Sequence, residues 1–172
     1  VADADASARL TVRHFLHHAS GLSEAGFSTS LPDDTTLEQA VRALKDARLS
    51  ALPGTTSQYF NLNYAVLALI IETVAGQSYA AYVQAQIFAP LGMAHSYTSP
   101  EAARANGLAQ GYGRFFGVAV PRAQPHRAFE LADGYLISTA EDMARFALAM
   151  TNGGALGEAR VLSAAGVRQL FT

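Results

Sequence analysis

The residues best equipped for chemistry lie in one short stretch, Pro53-Gly54-Thr55-Thr56-Ser57-Gln58-Tyr59-Phe60-Asn61, which carries a phenol and a carboxamide two positions apart. The stretch runs into a long apolar segment, so Tyr59 and Asn61 stand at the mouth of a helix. Two readings are open. In one, Asn61 caps the helix and Tyr59 is an aromatic lid over a core. In the other, the pair offers a proton-transfer group and a hydrogen-bonding amide to a substrate. A tyrosine ordinarily ionises near pH 10 and becomes a usable base only where nearby cations favour the phenolate.

Other combinations carry less. His14, His17 and His18 fall on the face of a helix opposite its apolar stripe, three and four residues apart. No Glu stands among them as in His-Glu-x-x-His, and no further ligand is at hand. They read as a polar helix face or as buried, hydrogen-bonded histidines, and neither a metal nor a cofactor is expected. Ser23, within Gly21-Leu22-Ser23-Glu24-Ala25-Gly26, is one residue out of step with a Gly-x-Ser-x-Gly elbow and follows no strand. Gly111, Gly113 and Gly117 miss a dinucleotide-binding spacing by one position and read as turn glycines. The only lysine, Lys45, rules out a phosphate-binding Gly-Lys-Ser/Thr loop and reads as a surface charge.

The elements that must hold these residues are mostly helical. The chain has 172 residues, enough to bury about 70% of its unfolded surface. Half its residues are hydrophobic and 15% are charged, which excludes intrinsic disorder. A net charge of -2, scattered along the chain, leaves no basic stripe for nucleic acid. There are no cysteines, hence no disulfide, thiol nucleophile or zinc knuckle. The longest apolar run, Tyr64 to Ile71, is far short of the roughly 18 residues a membrane span needs.

Val12, Phe15, Leu16 and Ala19 predict a first helix from about Thr11 to just before Gly21. Ser23 to Asp34 reads as loop. A second helix opens at Thr35 or Thr36, with Thr35 and Glu38 spaced as a capping box. Its stripe is Leu37, Ala40, Val41 and Leu44, and Glu38 pairs with Arg42 on the wet side. Leu62 to Ala75 predicts a third helix, apolar on every face and so central in a core, ended by Gly76. A fourth runs from about Ser78 to before Pro90, with Tyr79, Tyr82, Val83 and Ile87 on one side. Ala109 to Pro121 predicts a β-hairpin. Ser138 and Glu141 are spaced to cap a helix with the stripe Met143, Phe146, Ala147 and Met150, stopped at Asn152-Gly153-Gly154. A last helix begins near Ser163, with Val167, Leu170 and Phe171 inward. The fold class is therefore mainly α with a small β-hairpin: six helices and one hairpin.

Three blocks carry a resemblance. Thr11-Val12-Arg13-His14-Phe15-Leu16-His17-His18-Ala19-Ser20-Gly21-Leu22 resembles the "TIRHLLTHTSGL" block of the serine β-lactamase and penicillin-binding-protein-like hydrolases, the group that includes class C β-lactamases, D-Ala-D-Ala carboxypeptidases and related esterases. Pro53 to Asn61, Tyr64 and Ile70 to Tyr79 are similar to its "PGT…YSN" and "GQSY" block, and Ile87 to Met93 to its "PLGM" end. Gly134 to Phe146 resembles "GGLVSTAEDLARF". The blocks come in the family's order and cover about half of the chain.

The resemblance implies the helical subdomain of the α+β, transpeptidase-like fold, with residues 1–172 as a single helical lobe of a larger domain whose αβ lobe is absent. It implies acyl transfer through a serine, on a β-lactam, a D-amino-acid peptide or an ester, with Tyr59 and Asn61 as catalytic residues of the family's second motif. Tyr59 would shuttle the proton, and Asn61 would position the family's lysine and the acyl chain. The family's Ser-x-x-Lys and Lys/His-x-Gly are not in this chain, since Lys45 has Arg42 three places before it and no Lys or His begins such a triplet. The chain has no start Met and no signal-peptide pattern, so Val1 is not expected to begin the natural product. Loss of a nucleophile costs on the order of a million-fold, about 8 kcal/mol, so the chain alone is expected to be silent. The competing reading is a catalytically dead homologue or a helical module that binds a peptide or protein. Phe60, in place of a small residue, implies a bulkier loop, and Asp133, in place of a Gly, puts the turn and any pocket role of Gly134 in question. The family resemblance leans towards an extracytoplasmic location.

Overall fold

The computed structural model describes residues 1–27, 31–123 and 126–171, so part of the expected loop from Ser23 to Asp34 lies outside the described residues. The chain forms two compact units, Val1–Tyr79 with His126–Tyr135, and Ala80–Pro125 with Leu136–Thr172.

The first unit contains α1 (Ala4–Arg9), α2 (Val12–Leu16), α3 (Leu37–Ala43) and α4 (Leu62–Ala75), with single 3₁₀ turns at Leu44–Asp46 and Ala128–Glu130. Helix α1 was not foreseen: it lacks an apolar period, and its signal is Asp3, whose carboxylate accepts the Ala6 N–H at 2.9 Å. Helix α2 starts as expected, with Thr11 as its N-cap, but ends at Leu16. Of its expected stripe Phe15 is buried, while Val12 and Leu16 are exposed. Because the helix stops so early, the three histidines share no helical face.

Helix α3 is capped one residue later than Thr35 and Glu38 suggest. The box is formed by Thr36 and Gln39, with Thr36 N–H donating to Gln39 Oε1 at 2.9 Å and Gln39 N–H to Thr36 Oγ1 at 3.2 Å. Glu38 is thereby left to pair with Arg42 at 2.7 Å, as its spacing predicts. Ala40 and Leu44 are buried, with Val41 and Leu37 half-buried.

Helix α4 has the predicted limits, and Gly76 ends it in the left-handed region, φ 65°. Its burial differs from expectation. Leu62, Asn63, Ala65, Leu67 and Ala68 are buried, yet Val74 is 83% exposed. Its buried residues lie between 62 and 68, and α4 packs against α2 and α3. The core gathers Phe15, Leu22, Ala40, Leu44, Ala47, Phe60, Leu62, Ala65, Leu67 and Phe129. Phe60 is 2% exposed, so its bulk enters the core and does not thicken the loop.

The second unit holds most of α5 (Tyr79–Val83), which continues as a π-helical turn over Gln84–Phe88, then α6 (Pro100–Arg104), α7 (Ala140–Thr151) and α8 (Ala164–Leu170). Strands β1 (Tyr112–Phe115) and β2 (Val118–Pro121) form the expected antiparallel hairpin, with Phe115 opposite Val118. A second, two-residue pairing joins β3 (Ala155–Leu156) to β4 (Ala159–Arg160). The cap of α7 is again one residue later than expected: Thr139 accepts the Asp142 N–H, and Ser138 Oγ lies 2.8 Å from Ser96 Oγ. The expected stripe is displaced with it. Met143 and Ala147 are exposed, Phe146 and Met150 half-buried, and Asp142 and Ala149 fully buried. Asp142 is held there because its Oδ2 accepts from His95 N–H and Ser96 Oγ–H, each at 2.8 Å. In α8, Val167 is buried but Leu170 and Phe171 are exposed. The described residues thus hold eight α-helices and two small hairpins, against six and one expected.

Replacing Phe60 with Ala should cost about 3–5 kcal/mol by leaving a cavity in the first unit's core. Chemical denaturation measures it, and a loss below about 1 kcal/mol would place Phe60 outside a packed core.

Candidate active site

The site begins with the way α2 ends. His18 N–H donates to Phe15 O at 3.2 Å and Ala19 N–H to His14 O at 2.7 Å, a Schellman closure with His18 in the left-handed position, φ 52°. Glycine is the usual occupant there, because a side chain at positive φ is strained. The following Gly21, φ 83°, lies where any Cβ would collide with the Ala51 carbonyl oxygen, so the turn after the helix also admits no bulk.

This turn presents backbone groups to the stretch that carries the tyrosine. Gly54 N–H donates to Ala19 O and Gln58 N–H to His18 O, both at 2.8 Å, and Ser57 Oγ–H donates to His17 O at 3.0 Å. These bonds tie the stretch to the turn after α2. Phe60 goes into the core, and its neighbours Tyr59 and Asn61 go outward; Tyr59 is 70% exposed. Asn61, at the N-cap position of α4, makes no side-chain capping hydrogen bond. The helix-cap and core-lid reading of the pair therefore does not describe this structure: neither side chain serves the fold in that way.

Beneath Tyr59 lies a buried polar cluster. Ser20 and Asn63 are both fully buried, and Ser20 Oγ–H donates to Asn63 Oδ1 at 2.6 Å. That bond turns the Asn63 amide nitrogen towards His18 Nδ1, 3.1 Å away. Phe60 N–H also donates to His18 Nδ1, at 3.3 Å. The imidazole lies against Tyr59, with ring centroids 4.6 Å apart, and against Tyr64, at 5.2 Å. Burial, the larger influence, holds the His18 pKa below the ordinary histidine value. Sequence reasoning passed over Ser20 and Asn63; the available signal was Asn63 itself, a polar residue breaking an apolar run.

A second group of ionisable residues lies at 126–135 in the same unit. Arg127 bridges Asp33 at 2.7 Å and Glu130 at 3.2 Å. Asp133 Oδ2 is buried without a hydrogen-bond partner, and burial together with the Glu130 charge raises the Asp133 pKa to about 7. Gly134 has open space around the position of a Cβ, so no contact requires a glycine there. Ser23 is fully buried, its hydroxyl without a partner, and is no exposed nucleophile. Among the described residues no three His, Cys, Asp or Glu side chains are grouped to hold a metal ion, and no single helix is long and apolar enough to cross a membrane.

The family model for beta-lactamase matches residues 1–172. The chain belongs to the beta-lactamase family. Among the curated relatives of this beta-lactamase-family chain, penicillin-binding protein 4 of Amycolatopsis lactamdurans is 31% identical over 96% of the chain and 44% of its own length. An unguisins hydrolase of Aspergillus campestris is 33% identical over 82% of the chain and 28% of its own length. Among solved structures, the octameric penicillin-binding protein homologue from Pyrococcus abyssi superimposes with a TM-score of 0.81 at 29% identity, covering 95% of this chain and 38% of that one. The D-amino acid amidase from Ochrobactrum anthropi, complexed with D-phenylalanine, gives 0.73 at 25% identity, covering 93% and 48%. The chain thus spans less than half the length of these relatives, and its helix-rich architecture with a small hairpin is part of their fold.

The Asp133 carboxyl predicts a pH effect. At low pH it is protonated in both the folded and unfolded chain. As pH rises from about 4 to about 7, the unfolded chain releases this proton while the folded one keeps it, so stability falls across that window. Asp133→Asn should melt at a higher temperature than the parent at about pH 8 and at the same temperature at about pH 4. Melting curves that differ equally at both pH values would contradict the assignment.

Proposed function

We propose that this chain is the helical lobe of a serine hydrolase that works through an acyl-enzyme, and that Tyr59 and Asn61 are the groups the lobe contributes to the reaction. The observation that carries the proposal is the outward placement of both side chains around a buried Phe60. The fold uses neither of them for capping or core packing, so their exposure is available to a substrate. The hydrolase and amidase names among the relatives support the same reaction class.

In this reading a serine hydroxyl supplied by the remainder of the protein attacks an acyl carbon. Its proton passes to the Tyr59 oxygen as the new ester bond forms, and Tyr59 returns the proton to the departing amine or alcohol. Water then takes the serine's place as nucleophile in the second half-reaction. A phenol needs cationic company for this work, and in this reading a lysine supplied by the remainder of the protein provides it, since the only lysine of this chain is the exposed Lys45. Asn61 offers an amide donor and acceptor for the acyl side chain. A β-lactam, a D-amino-acid peptide and a simple ester are the substrate classes this reading admits.

That the chain is one lobe of a larger catalytic domain is supported by its coverage of the relatives and by an open, mainly apolar groove in the first unit. The groove, about 690 Å³, is lined by Val1, Leu10, Phe15, Leu22, Val41 and Val66 among others.

The test is to label the full-length protein with a fluorescent penicillin or a fluorophosphonate. Labelling should vanish when the serine of an upstream Ser-x-x-Lys is replaced, and Tyr59→Phe should slow it by about 10²–10⁴-fold. Labelling that survives loss of that serine would overturn the mechanism. A full-length sequence without Ser-x-x-Lys would leave a catalytically dead, partner-binding homologue as the reading.

A further inference from the structure

His18 occupies a position where a side chain is a disadvantage. It is the left-handed closing residue of α2, at φ 52°, and such strain at a non-glycine residue costs on the order of 1–3 kcal/mol. Its ring is nonetheless held from two directions. Phe60 N–H can only donate, so Nδ1 is an acceptor and carries no proton. With Nδ1 unprotonated, the facing Asn63 amide presents its nitrogen there as a donor, which leaves Oδ1 to accept the 2.6 Å bond from Ser20. Two donors on one lone pair fix the ring as the neutral tautomer with its proton on Nε2. The Ser20 hydroxyl is set in turn, because it accepts the Leu22 N–H at 3.1 Å. This chain of bonds ends at the face against which Tyr59 lies, 4.6 Å between centroids and tilted by 40°. The His18 ring also meets Tyr64, 5.2 Å between centroids, whose hydroxyl donates to Leu16 O at 3.2 Å.

We propose that His18 is a positioning residue for Tyr59, its imidazole serving as a fixed platform that sets the direction of the phenol towards the reacting serine. The proposal rests on the reading of Tyr59 as the proton-transfer group. An exposed tyrosine otherwise samples several rotamers, and proton transfer requires one of them. A rigid ring beneath it removes that freedom at the cost of one strained residue. Deleting the platform while keeping the backbone turn should therefore reduce the rate and leave the fold intact. His18→Asn does this: asparagine tolerates the left-handed region, and its amide oxygen can take the Phe60 N–H.

A double-mutant cycle on the full-length protein, read as the rate of fluorophosphonate labelling, tests the idea. Tyr59→Phe alone should slow labelling at least a hundredfold. His18→Asn should slow it about tenfold to a hundredfold in the parent, and less than about twofold when Tyr59 is already Phe. Equal slowing by His18→Asn in both backgrounds would make His18 merely structural and overturn the proposal while leaving Tyr59 catalytic. No slowing by Tyr59→Phe would remove the reading of Tyr59, and this proposal with it. Should His18→Asn fail to fold, nitrogen-15 spectra of the histidine rings in the unaltered protein decide: an Nε2–H tautomer at neutral pH is expected, and an Nδ1–H or doubly protonated ring overturns the platform.

Discussion

One buried amide organises the candidate site. Asn63 sits in the first turn of α4, fully buried beside Leu62 and Ala65, where an unpartnered carboxamide would cost several kcal/mol. Its two ends are satisfied by residues more than forty positions earlier, Ser20 through Oδ1 and His18 through Nδ2. Meeting that requirement brings the turn after α2 to the start of α4 and leaves little freedom in their relative placement. Apolar packing alone would tolerate a slide of one helix along the other, since Leu and Phe contacts are non-directional. Hydrogen bonds between a hydroxyl, an amide and an imidazole do not tolerate it.

The same junction explains why Tyr59 and Asn61 face outward. Backbone bonds from 54 and 58 to 19 and 18 tie the stretch to the turn after α2, and Phe60 beside them is buried in the core. Phe60 is an anchor for its two neighbours. Its ring lies in the core with Phe15, Leu22, Leu62 and Phe129, while Tyr59 and Asn61 are exposed.

Electrostatics divides the first unit into two kinds of polar site. Around His18 the ring Nδ1 receives the Phe60 N–H and faces the Asn63 amide, and burial favours the neutral ring. Around 126–135 the balance is incomplete: Arg127 satisfies Asp33 and Glu130, whereas the buried Asp133 oxygen has no partner and its carboxyl is driven towards the neutral form. The first arrangement rigidifies. The second stores an unfavourable charge that the folded chain avoids by holding a proton.

Much of the local structure was legible in the residues themselves. The limits of α4, the hairpin and the Glu38–Arg42 pair follow from the apolar run, β-branched and aromatic content, and i,i+4 spacing. These depend on neighbours in the chain, which a sequence displays directly. The caps of α3 and α7 were each displaced by one residue, because adjacent Ser and Thr residues offer near-equivalent caps and tertiary partners decide between them. Ser138 is drawn to Ser96 and Thr35 is buried, leaving the next residue to cap. The sequence named Tyr59 and Asn61 but left open whether they served the core or a substrate. Only tertiary structure resolved which way they point, since that depends on where residues 17–20 lie relative to 54–63, a contact across some forty residues that no local pattern encodes. The Ser20–Asn63–His18 cluster belongs to the same class: three residues ordinary in isolation acquire a role when the fold removes them from water together.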